Sequence, residues 1–83
     1  MLDRNPFISA LFEYEYPTLI RLAYRLTGSR ELARDLLQDT FLLAMVHYEE
    51  LVVHLSPGGW LNLTLHNLAR NERRRGKRYP QTS

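Results

Sequence analysis

Between three interruptions rich in glycine and proline, the apolar residues of this chain repeat with the period of an α-helix, and that repeat excludes most alternatives to a helical fold. From Ile8 to Leu26, the residues Ile8, Leu11, Phe12, Tyr16, Leu19, Leu22, Ala23 and Leu26 stay on one face at about 100° per residue. The phase survives Pro17, which fits either one helix kinked near Pro17 or two abutting helices. Thr27-Gly28-Ser29 reads as a stop and a restart, with Gly28 supplying the left-handed helix end and Ser29 capping the next helix. The second helix is expected from about Arg30 to Glu50, burying Leu32, Ala33, Leu36, Leu37, Thr40, Phe41, Leu43 and Ala44. The segment LVVHLSPGG breaks the period and reads as a structured loop, after which a third helix runs from near Gly59 to about Arg75. The expectation is an all-α fold, a compact three- to four-helix domain with no strand and no internal repeat.

At 83 residues the chain is one small domain, close to the lower limit for a fold held by a hydrophobic core alone. It contains no cysteine, so neither a disulfide framework nor a thiolate metal site is available. The start MLDRNPFISALFEYEYP is not patterned as a signal peptide, and no apolar stretch is long enough to span a bilayer. A soluble, cytoplasmic protein is expected. Residues 1–76 read as the domain, while the polar end of GKRYPQTS, residues 77–83, reads as the start of a linker or tail.

Charge is distributed unevenly. Arg70, Arg73, Arg74, Arg75, Lys77 and Arg78 oppose Glu72 alone, a local net of +5 that leaves the rest of the chain near −3 against a total of +2. A mildly acidic body with a basic end fits two surfaces with different partners, the basic one suited to phosphates. The same cations also complement the dipole at a helix C-terminus.

On the second helix Arg34, Asp35, Gln38 and Asp39 lie opposite the core arc, and Leu42, Met45 and Val46 continue that polar arc toward the C-terminal end. Carboxylates and an amide running into apolar side chains suit a docking surface for a partner helix; alternatively, the first helix or the loop wraps over the three apolar residues. On the third helix Leu61, Leu65, Leu68 and Ala69 form the apolar arc, with Trp60 and Thr64 at its border. Asn62, His66, Arg70 and Arg73 lie opposite, with Asn67, Asn71 and Arg74 to one side. Arginines neutralise phosphates, and asparagine and histidine hydrogen-bond base edges. Trp60 either stacks on an unstacked base or anchors the helix start in the core.

Nothing in the sequence assembles a catalytic centre. His47, His54 and His66 lack close metal-ligand spacing, Ser29 and Ser56 have no evident base beside them, and no glycine loop followed by lysine cradles a phosphate. No enzyme activity, cofactor, metal or small-molecule substrate is expected.

The run YPTLIRLAYRLTGSRELARDLLQDTFLLA, followed by GWL and then HNLARNERRR, resembles region 2 of the extracytoplasmic-function class of bacterial RNA polymerase sigma factors. The most specific part is TGSRELARDLLQDTF, and the resemblance covers nearly the whole chain. It implies a helical domain that docks on the clamp helices of the polymerase largest subunit, with Asp35, Leu36, Gln38 and Asp39 matching the docking motif and Arg34, Leu42, Met45 and Val46 beside it. It also implies that the loop and third helix melt the promoter minus-ten element by holding its non-template strand single, with a flipped base trapped at the loop. Carried over by position, Val52 to Gly59 form that loop, including His54 and Ser56, and Asn67, Arg70 and Asn71 face the strand. The basic tail, with Arg73, Arg74, Arg75 and Lys77, supplies sequence-independent affinity.

The chain departs from the family pattern in places. Leu63 stands where many members carry arginine, and Ser56 where a related loop form carries asparagine. The helix-turn-helix domain that reads the upstream promoter element is not in this sequence, which fits an excised domain, as the linker-like end favours, or a standalone protein that selects promoters differently. Two other readings remain: a sigma-like interaction protein that binds an anti-sigma factor or the clamp without melting DNA, and a general duplex-binding helical domain.

Overall fold

A computed structural model describes the backbone of residues 6–75 and the side chains of residues 6–71. Four helices follow one another: α1 (Pro6–Thr27), α2 (Arg30–Val46), α3 (Tyr48–Val52) and α4 (Pro57–Arg75). No strand occurs among the described residues. α1 and α2 form an antiparallel hairpin, α4 lies against both, and short α3 touches α2 and α4. No described helix is long and apolar enough to cross a membrane.

α1 runs unbroken through Pro17, so the single-helix alternative is the one that forms. Proline leaves the carbonyl of Glu13 without its intrahelical donor, yet Glu13 and Pro17 are both exposed, where water can satisfy it. The apolar face is maintained on both sides of the proline: Ile8, Phe12, Leu19, Leu22 and Ala23 are all buried. Tyr16 departs from expectation. It lies at the margin of the stripe and is 43% exposed.

The α1–α2 turn follows the sequence reading closely. Gly28 has φ 75°, a conformation that costs a residue with a Cβ but not glycine, and its N–H donates to the carbonyl of Tyr24 at 2.7 Å. Ser29 is extended and its hydroxyl accepts from the Leu32 N–H at 3.2 Å, capping α2. Thr27 is fully buried, but its hydroxyl donates to the Ala23 carbonyl at 2.9 Å and accepts from the Ser29 N–H at 3.2 Å. A buried hydroxyl with both partners carries no desolvation penalty of the unsatisfied kind.

After Val46 the structure corrects the sequence reading. α2 does not continue to Glu50; it ends at His47, whose φ of −98° and ψ of 29° are no longer helical. The turn redirects the chain so that Leu51, in the following one-turn helix α3, is completely buried. The segment read as one loop is therefore mostly helical at its two ends. Only Val53 to Ser56 lie outside helices, because Pro57 opens α4 two residues earlier than expected. Proline is suited to a first helical position, where its missing N–H is not needed. Ser56 completes the start, its hydroxyl accepting from the Gly59 N–H at 3.3 Å and its carbonyl from the Trp60 N–H at 3.0 Å.

The core joins one face of each helix. Ala33, Leu36, Leu37 and Ala44 from α2, Leu51 from α3, and Leu61, Leu65 and Ala69 from α4 meet the α1 residues in one cluster. Phe12 and Phe41 lock α1 to α2 edge-to-face, their centroids 4.8 Å apart. Each fully buried leucine contributes about 2 kcal/mol.

Candidate protein-docking and nucleic-acid faces

Two surfaces flank this core. The first lies along α2. Arg34, Asp35 and Gln38 are exposed and Asp39 is half-buried. Leu42 and Val46 are 52% and 76% exposed, so neither α1 nor the loop wraps over them. Met45 differs, being half-buried against the core. Leu36 is 0% exposed, as the periodicity of α2 leads one to expect, so the docking role implied for it by the resemblance is corrected: it cannot present its side chain to a partner. Its place is beneath the face, where it fixes the turn of α2 carrying Asp35 and Asp39.

The second surface combines α4 with the loop before it. The His54 Nδ1 accepts from the Ser56 N–H at 2.9 Å, and the His54 N–H donates to the Leu51 carbonyl at 3.0 Å. These two bonds fold the short loop tightly enough to push its apolar side chains outward. Val53 is 78% exposed and Leu55 wholly so. Trp60 sits half-buried against the core, its ring 5.6 Å from the His47 ring. The core-anchor reading describes that environment. His47 is also 3.3 Å from Glu50 through Nδ1, an ion pair when the imidazole is protonated.

Along α4, Asn62, Asn67, Arg70 and Asn71 are exposed and His66 is half-buried. Arg73, Arg74 and Arg75 belong to the last turn of α4, although their side chains and all of Lys77 lie outside the described residues. Ser56, Gly59, Asn62 and His66 line one side of an open groove of about 510 Å³, together with Leu63, which is 61% exposed.

Glu15 of α1 lines the same groove, and it was not expected from the sequence. It sits directly against Gly58, where any Cβ would run into its carboxylate. Absence of that carbon lets a negative charge approach the first turn of α4, where the helix dipole favours it. The available signal was weak: Glu15 adjoins the apolar stripe of α1, so it points between helices rather than fully outward.

Among the described residues no group of three or more histidines and carboxylates is placed to hold a metal. The surface offers two chemically different faces: carboxylates beside bare Leu42 and Val46 on α2, and on α4 the exposed Asn67, Arg70 and Asn71 beside a groove lined by Asn62, His66 and the Glu15 carboxylate.

Comparison with curated proteins and comparison with solved structures each produced no match. A sequence model of the Sigma-70 region 2 family, by contrast, matches residues 11–79, from the first turns of α1 to beyond α4. The span includes both faces and all of the core but Ile8. This chain therefore belongs to the Sigma-70 region 2 family, non-enzymatic transcription-initiation domains that bind RNA polymerase and take part in promoter recognition.

Proposed function

We propose that this chain acts as a region 2 domain of the extracytoplasmic-function class, docking through α2 on the clamp helices of the largest polymerase subunit and opening the minus-ten element through α4 and its preceding loop. The observation that carries the reading is the outer side of α2, where Arg34, Asp35 and Gln38 run into bare Leu42 and Val46. Carboxylates pair with arginines of a partner coiled coil, and the aliphatic neighbours exclude water from those pairs. Residues 1–76 form the domain and 77–83 begin a linker; the domain operates in the cytoplasm, where an anti-sigma factor competes for the α2 face.

Strand capture follows from the second surface. Asn67, Arg70 and Asn71 contact the non-template strand, Arg73, Arg74, Arg75 and Lys77 neutralise phosphates, and His54, Ser56, Asn62 and His66 surround a base turned out of the stack. Val53 and Leu55 project from the loop where a wedge against the next base pair would be needed. No ATP is consumed. Opening is a population shift, in which tighter binding to the open strand offsets unstacking of a few kilocalories per flipped base.

A second reading, a sigma-like protein that binds the clamp without melting DNA, is favoured by Leu63, an exposed leucine on the groove where a cation would reach the backbone. The two separate on strand selectivity. Fluorescence anisotropy with a degenerate labelled oligonucleotide should show tighter binding to single strand than to duplex, with a logarithmic salt slope of about −0.7 per phosphate neutralised. Clamp binding without strand binding would establish the mimic, and a duplex preference would overturn both.

A further inference from the structure

A groove of about 690 Å³ lies between α1 and α2, and no described residue of α4 lines it. Arg21 and Arg25 on α1 and Arg30 and Arg34 on α2 all line it. Each pair is spaced i, i+4, so both members project from one side of their helix, and the hairpin turn at Gly28 sets the two pairs facing each other. No carboxylate is among the lining residues. Among the described residues none of these four guanidinium groups takes part in an ion pair. Four unneutralised cations around one space repel one another, and a purely structural groove has no use for them.

The remaining wall is aromatic. Tyr16 and Tyr24 line the groove at 43% and 50% exposure, with Ile20 between them on the same stripe of α1. We infer that this groove is a binding site for a nucleotide, its phosphates held by the facing arginine pairs and its base stacked on the tyrosines. Arginine forks match phosphate oxygens bidentately, and tyrosine rings accept any base face. The volume falls in the range of small-ligand sites. An acidic helix fits less well, because its carboxylates recur along one axis, whereas here the cations come from two helices and share the wall with two tyrosine rings. The nucleotide is either free or part of a single strand; both present the same phosphate-and-base chemistry.

The site is independent of the strand-capture groove on α4. It does adjoin the docking face, because Arg34 belongs to both, so occupancy is expected to alter docking.

The test is a titration of the 15N-labelled chain at low salt with ATP, tripolyphosphate, adenosine, a thymidine tetranucleotide and an acidic helical peptide, following backbone amide shifts. ATP or the tetranucleotide should shift Ile20, Tyr24, Arg30 and Ala33, and whichever binds more tightly identifies the free or strand-borne form. Arg21→Glu with Arg25→Glu should weaken either ligand at least about tenfold. Tyr24→Ala should weaken ATP about tenfold while leaving tripolyphosphate unchanged, a split that a merely structural effect would not produce. Shifts confined to α4, ATP binding no tighter than tripolyphosphate and indifferent to Tyr24→Ala, or preferential binding of the peptide would each overturn the assignment.

Discussion

α2 and α4 pack against the same core in the same way, yet they expose different chemistry. α2 leaves two aliphatic side chains bare beside carboxylates, whereas the outward side of α4 carries amides, an imidazole and a cation with Leu63 as its one bare aliphatic among the described side chains. Under the proposed function, the bare aliphatics of α2 are covered by a protein partner. Under the same proposal, the polar face of α4 meets a polyanion with readable edges. The contrast between the two helices lies in what breaks each amphipathic pattern, not in the pattern itself.

The largest expected effect tests what the two faces share. Leu36→Ala and Leu65→Ala should each cost about 2–5 kcal/mol in chemical denaturation, because both side chains are completely buried. Should Leu36→Ala leave stability unchanged while clamp binding disappears, Leu36 would be a contact residue after all and the burial correction would fail. Next, Arg70→Ala should weaken single-strand binding by about 1–3 kcal/mol and reduce the magnitude of the salt slope by about 0.7, with clamp binding unaltered. Loss of both activities together would mean that the two faces are not separable.

The helix starts provide a smaller contrast. Ser29→Ala removes the cap of α2 and should cost about 1 kcal/mol in thermal unfolding. Ser56→Ala should cost less, because its 3.3 Å bond is longer and fully exposed. Smallest of all, Val46→Ser should change stability by no more than about 0.5 kcal/mol while weakening clamp binding, since Val46 is 76% exposed. A marked loss of stability would show that the patch serves the fold itself.

Much of this was legible in the sequence. The stripe of α1 and the Gly28 turn with its Ser29 cap follow from periodicity or local backbone chemistry, which depend on neighbours in sequence, whereas periodicity placed Leu42, Met45 and Val46 on the outer arc but left open whether another segment covers them. The break at His47 was not legible, because a one-turn helix such as α3 has no period to detect and exists to place Leu51 in a core assembled by other helices. Ser56-Pro57 was a readable start for α4, but the two glycines after it, poor helix formers, obscured it. Of the sites, the residues of α4 could be named but not their groove. Glu15 enters it from α1 across a helix packing that no local pattern encodes. Leu36 shows two readings in conflict: periodicity placed it in the buried arc, where it lies, while its place in the docking motif beside Asp35 said nothing about which way its side chain points.

The central claim, that α2 is the polymerase-docking face and acts separately from α4, is tested most directly by calorimetric titration of the chain with the isolated clamp-helix coiled coil, beside the Asp35→Lys, Asp39→Lys double variant. The account predicts binding by the parent, loss of at least about 100-fold in the variant, and unchanged single-strand affinity. Equal clamp binding by parent and variant would contradict it and move the docking surface elsewhere on the domain.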